Sequence, residues 1–243
     1  MTQTRDLSSA VFAITGASSG IGRATARALV MAGSKVAMGA RRLHRLEALV
    51  DELGSDNAAA VAMDVRSPAD CDRLVATAVE QFGRLSGIVA NTGVGAYGGI
   101  MDLTDHQLAE MMDTNIAGTV WPIRAAVPKF FEAGSGDIVI VASVAGLRGA
   151  GDEAVYAATK FAQVGLAGGL DRELRSRNIR VSVIAPGGVA TEFAMGAGRE
   201  PDMPGLDEML APQDVADAVI TVLRQPPSMR TLVWSMRSIH EDD

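Results

Sequence analysis

Tyr156 and Lys160 stand four positions apart, and Ser143 precedes the tyrosine by thirteen. Residues at i and i+4 share one helix face, so a lysine ammonium there can lie beside a phenol. A phenol ionises at about pH 10 unaided, whereas a general acid or base works best near the operating pH, and an adjacent cation favours the phenolate. The pair therefore suits proton transfer at an oxygen. Tyrosine and lysine at this spacing also occur as an ordinary packed aromatic and a lysine reaching for solvent, so the pair needs context. The context is a glycine-rich turn near the start of the chain, Thr15-Gly16-Ala17-Ser18-Ser19-Gly20-Ile21-Gly22.

Gly16, Gly20 and Gly22 fall between a predicted strand and a predicted helix. Missing side chains there permit a tight turn and let a pyrophosphate approach the backbone N–H groups at the helix N-terminus. Ser18 and Ser19 add hydroxyl donors. A site for NAD commonly carries an Asp or Glu about 20 residues further on, after the second strand, to hold the ribose 2′-hydroxyl. Gly39-Ala40-Arg41-Arg42 stands there instead. Without a carboxylate a 2′-phosphate meets no repulsion, and a guanidinium offers it a bidentate partner. The expected cofactor is NADP(H), favoured over NAD(H), with Arg41 and Arg42 as its phosphate-facing residues.

Positioning these groups needs a frame. Short apolar or β-branched runs at 11–15, 35–39, 58–63, 87–91, 137–143, 179–185 and 231–234 alternate with helical patterns. Such a series predicts an α/β chain, a three-layer, doubly wound Rossmann fold on a seven-stranded parallel sheet with right-handed crossovers. Gly33 after the first helix, Ser67-Pro68 before the third and the Thr104/Gln107 spacing read as helix ends. Residues 1–243 are expected to form one domain, with one irregular stretch, about 191–210, rich in Gly, Met and Pro. Long loops in compact domains are usually functional, and ligands bind beyond the carboxyl ends of such strands. That stretch is therefore expected to be a mobile lid over a substrate pocket.

Bulk properties exclude several classes. With 22 Lys plus Arg against 29 Asp plus Glu, the formal net charge is −7, which disfavours nucleic acid as a partner. Hydrophobic residues make up 48% but never run to the roughly 18 consecutive positions of a membrane span. The polar start and the single cysteine, Cys71, fit a cytoplasmic setting. Cys71 reads as packing. His44, His106 and His240 lie far apart, and no metal is expected.

With these residues in hand, the chain resembles the short-chain dehydrogenase/reductase family, its compact NADP(H)-preferring branch, over roughly Leu7 to Thr191. Within the family it is similar to broad oxidoreductases acting on hydroxy compounds, including clavulanate-type and serine-type dehydrogenases. The resemblance identifies Asn115, Ser143, Tyr156 and Lys160 as a catalytic tetrad. It places Asp64 and Val65 at the adenine, and Pro186, Gly187, Val189 and Thr191 beside the nicotinamide. One departure stands out: the family's Asn-Asn-Ala-Gly reads Ala90-Asn91-Thr92-Gly93 here, with Thr92 offering a hydroxyl in compensation.

By the same resemblance, Tyr156 exchanges the proton, Lys160 lowers its pKa and holds the nicotinamide ribose, and Ser143 bonds the substrate oxygen. Asn115 holds a water linking Lys160 to solvent. The implied reaction is hydride transfer between nicotinamide and a carbonyl or secondary alcohol. A 3-oxoacyl-carrier-protein reductase and a non-catalytic NADP-binding regulator are the alternatives. Asp152 and Glu153 at the site mouth disfavour an acidic carrier and point to a small neutral or apolar substrate. Met195, Met203 and Met209 can line its pocket or simply fill gaps. The helix from 157 to 170 pairs subunits in the family, which implies a homotetramer or a dimer.

Overall fold

The computed structural model describes residues 4–201 and 203–241; the extreme termini and Asp202, within the expected lid, lie outside it. Seven strands form one parallel sheet: β1 (Val11–Thr15), β2 (Lys35–Ala40), β3 (Ala58–Ala62), β4 (Gly87–Ala90), β5 (Gly136–Val141), β6 (Ile179–Pro186) and β7 (Val233–Met236). Their order across the sheet is β3-β2-β1-β4-β5-β6-β7. The order reverses between β1 and β4, and the crevice at such a switch point is where this architecture binds ligands.

Among the described residues seven α-helices cover the two faces: α1 (Gly20–Met31), α2 (Leu43–Leu53), α3 (Pro68–Phe82), α4 (Asp105–Met112), α5 (Gly118–Ala133), α6 (Ala154–Leu174) and α7 (Pro212–Arg224). One core layer joins the sheet to α1, α2 and α7 through Leu29, Leu46, Leu49 and Val219. The other joins it to α3, α5 and α6 through Leu74, Ile123, Phe130 and Leu174. Strands covered on both faces are largely apolar, as the fully buried β4, β5 and β6 show, with Asp137, Arg180 and Ser182 as their polar residues. Cys71 is part of this packing, its thiol pushed up to about 12 by burial.

The expected helix ends are present. Ser67 accepts from the Asp70 amide, and Thr104 and Gln107 close a capping box around the start of α4. Gly33, at φ +86°, turns the chain after α1. Strand ends shift for local reasons. The fifth stops at Val141 because Ser143 turns the backbone into a 3₁₀ turn over Val144–Gly146, its hydroxyl accepting from the Ala145 amide. The seventh starts at Val233 because Thr231 is tied back to Gln225 by two side-chain hydrogen bonds.

At the sheet end opposite the switch-point crevice, Asp137 stands second in β5 and Arg180 second in β6, both buried. Arg180 binds Asp137 at 2.7 Å and donates to the backbone carbonyls of Leu223, Gln225 and Met229. This guanidinium satisfies carbonyls that α7 leaves open at its C-terminus. Removing it strands a buried carboxylate with only Arg5 for company. Arg180→Met is therefore expected to lower the unfolding free energy by about 3 kcal/mol in urea titrations; a loss below about 1 kcal/mol contradicts this role.

Candidate active site

Tyr156 and Lys160 lie on the inner face of α6 and are buried, at 6% and 3% exposure. The lysine Nζ is 5.6 Å from the centre of the tyrosine ring. Ser143, just past the carboxyl end of β5, hydrogen-bonds the phenol. Asn115 sits in a π-helical turn, Asp113–Ala117, between α4 and α5, the kind of bulge that re-aims a side chain within a helix. A Cβ at Gly93 would lie 3.4 Å from both Asn115 Oδ1 and Lys160 Nζ. The four residues expected to act together thus converge on the carboxyl ends of the central strands.

Asn115 works as a clamp. Its amide oxygen accepts from the Val94 backbone at 2.8 Å, and its amide nitrogen donates to the Val94 carbonyl and to Thr159 Oγ1, both at 2.9 Å. Lys160 Nζ donates to Gln163 Oε1 at 3.0 Å, and Gln163 Nε2 donates to the Asn115 carbonyl at 2.9 Å and to Thr119 Oγ1 at 2.8 Å. Thr119 also donates to the Asn115 carbonyl. Two side chains thus occupy that carbonyl, and Gln163 joins Lys160 to Asn115 directly. Sequence reasoning missed Gln163. Its signal was available: it lies three and seven positions beyond Lys160 and Tyr156, on the same helix face.

Burial dominates the electrostatics. Lys160 is pushed down to about 7 by loss of solvent. Burial and then the neighbouring Tyr97 push Tyr156 above the usual phenol range, while the Ser143 hydrogen bond pulls it the other way. Acidification of Tyr156 by a charged Lys160 is therefore not what this arrangement shows. A desolvated amine gives up its proton near neutrality, and an uncharged amine does not stabilise a phenolate.

A groove of about 540 Å³ runs over the switch point. Gly16, Ser18, Ser19, Gly20 and Ile21 form one wall, Arg41, Arg42, Asp64 and Val65 the far end, and Asn91, Thr92, Gly93 and Thr191 the side toward Tyr156. Gly16 has φ +70°, and a Cβ on Gly22 would sit 2.5 Å from the Gly16 carbonyl oxygen, so the turn closes only without side chains. Asn91 Nδ2 donates to the Thr15 carbonyl at 3.0 Å and holds the turn from below. The first turn of α1 carries neither a side-chain cap nor an acidic residue, and Thr92 Oγ1 is buried on the groove with no partner. An anion-accepting helix end and an orphaned hydroxyl fit a dinucleotide. Asp64 is held below the usual carboxylate range by Arg66.

The two arginines after β2 behave differently. Arg42 donates to Ser19 Oγ at 2.6 Å and Ser18 Oγ at 3.1 Å, whereas the Arg41 side chain is 65% exposed and 3.9 Å from Glu110. A carboxylate does face this site, but from 150 positions downstream: Glu192 binds Arg42 at 2.7 Å and Arg45 at 2.8 Å. Both arginines hold its carboxyl below the usual range.

An adjoining cavity of about 260 Å³ is lined by Ser143, Tyr156 and Lys160 together with Pro186, Gly187, Val189 and Thr191. Its remaining wall is aromatic and charged rather than methionine-rich. Tyr97 and Phe193 pack against Tyr156 with ring centres 6.1 and 5.7 Å away, and Arg148, Glu153, Arg199 and Glu241 also line it. Of the expected methionines, Met195 borders the dinucleotide groove, Met209 lies against Gly188, and Met203 is exposed. Among the described residues no group of His, Cys, Asp and Glu could hold a metal ion, and no helix is long and apolar enough to cross a membrane.

Comparison with known proteins agrees with this geometry. The family model for short chain dehydrogenases matches residues 10–202. An uncharacterised oxidoreductase of Staphylococcus haemolyticus is 37% identical over 234 residues, covering 96% of this chain and 99% of that protein. The closed form of a serine dehydrogenase complexed with NADP+ superposes with a TM-score of 0.90 at 29% identity, covering 96% of each chain. A 3-ketoacyl-(acyl-carrier-protein) reductase from Brucella melitensis complexed with NADH gives 0.86 at 28%, covering 95% of this chain and 97% of that one. The chain belongs to the short chain dehydrogenase family.

Proposed function

We propose that the protein is an NADP(H)-dependent oxidoreductase that interconverts a carbonyl and a secondary alcohol on a small molecule, with Tyr156 as general acid and base. The observation carrying this reading is the convergence of the Tyr156 phenol and the Ser143 hydroxyl in a cavity that opens onto the dinucleotide groove. When bound, the nicotinamide supplies the hydride chemistry. The glycine turn and the start of α1 hold its pyrophosphate, Asp64 and Val65 border the adenine, and residues 186–191 hold the nicotinamide side.

Within that frame Ser143 orients the substrate oxygen, and Tyr156 delivers or removes the proton at it. Lys160, held by Gln163 and close to neutral, relays protons and binds the ribose hydroxyls. NADP(H) is preferred because no carboxylate follows β2 and because Arg42 presents a guanidinium flanked by Ser18 and Ser19, a set suited to a phosphate. The stretch 191–210 acts as a lid on one single-domain chain, with Glu192 as its latch.

Subunit pairing through α6 fits its outward surface, where Phe161 is 46% exposed and a Cβ on Gly165, Gly168 or Gly169 would meet open space. A homotetramer in the cytosol is the assembly and setting proposed.

Tyr156→Phe keeps the ring packing and deletes the proton donor. It is expected to lower kcat by about 10²- to 10⁴-fold while NADPH binding, followed by fluorescence, stays within about twofold; near-normal turnover excludes the mechanism. Arg42→Ala is expected to cut the NADPH-over-NADH ratio of kcat/KM by about tenfold or more, and by more than Arg41→Ala does. A larger effect at Arg41 assigns the phosphate to the other arginine.

A further inference from the structure

Arg199 is the one guanidinium in the catalytic cavity buried to nine-tenths, at 9% exposure. Its guanidinium is a positive charge that presents only donors. Its Nη1 donates to the Val189 carbonyl at 3.0 Å, and its Cζ lies 5.8 Å from the centre of the Phe193 ring. That ring is in turn 5.7 Å from the Tyr156 ring. Among the described residues no carboxylate comes within ion-pair distance of Arg199, although other arginines close to the site, Arg42, Arg45 and Arg66, each have one. Two acids share the cavity, and among the described residues neither makes an ion pair with Arg199. Glu241 accepts from the Gly188 amide at 2.9 Å and lies 3.5 Å from Arg237, and Glu153, pushed up by burial, answers to Arg148.

A buried cation without a counter-charge is costly unless something supplies the anion. The cofactor's phosphates are not that anion, because Arg199 does not line the groove beside the glycine turn. We infer that the anion is on the substrate: resting on the hydride-transfer reading above, the enzyme acts on a small hydroxy or oxo acid whose carboxylate is held by Arg199 while its reacting oxygen meets Tyr156 and Ser143. Tyr97 and Phe193 flank the short carbon chain between them. In the oxidative direction the carbinol C–H leaves as hydride to the oxidised nicotinamide dinucleotide and the hydroxyl proton leaves through Tyr156, giving the oxo acid with its carboxylate unchanged. This replaces the neutral substrate that Asp152 and Glu153 suggested.

The test uses straight-chain 2- and 3-hydroxy acids of three to five carbons and their methyl esters as probes, with NADP+, on wild type, Arg199→Met and Arg199→Lys. The wild type is expected to prefer an acid over its ester by about 100-fold in kcat/KM, mostly through KM. That ratio should fall toward unity in Arg199→Met and recover in part in Arg199→Lys. An ester used as well as its acid, or an unchanged ratio in Arg199→Met, overturns the inference. Binding is read separately as the rise in Tm that each acid gives the NADP+-loaded protein. A rise in wild type that Arg199→Met lacks supports the carboxylate site even without turnover, in which case the redox reading is what fails. No rise with any acid overturns the carboxylate site itself.

Discussion

Desolvation of Lys160 is the constraint around which the site is built. An amine with no carboxylate beside it, enclosed on every side, holds its place through the Gln163 amide oxygen and a longer contact to the Val141 carbonyl. Gln163 in turn fixes the Asn115 carbonyl, and Asn115 fixes Val94 and Thr159, so one buried network ties the segment after β4 to the π-helical turn and to α6. The small residues nearby follow from the same crowding: a Cβ on Gly146 would come within 2.7 Å of the Lys160 carbonyl oxygen. Buried networks of this kind hold only when every member is satisfied, which gives the site its rigidity. The low polarity that pushes the lysine down also raises the phenol of Tyr156, so a single cause drives the two groups apart from nearly equal ordinary values.

Outside this dry centre the interactions are of a different kind. The ion pairs that Arg42 and Arg45 make with Glu192 join side chains that are all about 40–50% exposed, and such pairs are individually worth about 0.2–1 kcal/mol. The segment beginning at Thr191 is therefore held over the dinucleotide groove by contacts a ligand can displace, whereas the buried hydrogen-bond network beneath is expensive to disturb. A soft rim over a stiff floor lets the groove admit a cofactor without rearranging Asn115, Lys160 and Gln163.

Much of the frame was legible in the sequence because it depends on local signals. Alternating β-branched runs gave seven parallel strands, and the glycine spacing gave a turn that closes only without side chains. The i, i+4 pairing placed Tyr156 and Lys160 on one helix face. What sequence could not show is set by distant parts of the chain. Glu192 reaches Arg42 across 150 positions, Arg199 approaches Tyr156 through the Phe193 ring, and Gln163 gains its role only once α6 meets the π-helical turn. The environment of Lys160 was hidden for the same reason: spacing reports proximity to a phenol, but only the packed structure reports how completely water is removed.

The most direct test of this account is the ionisation of Lys160 itself. With Lys35 and Lys129 as the only other lysines, ¹³Cε-lysine labelling and a Lys160→Arg variant for assignment allow its titration to be followed by NMR in the cofactor-free protein. A midpoint at about 7 is the result expected of a desolvated amine held by a neutral amide. A midpoint near the ordinary lysine value of 10.5 would show a charged, solvated side chain and contradict the account.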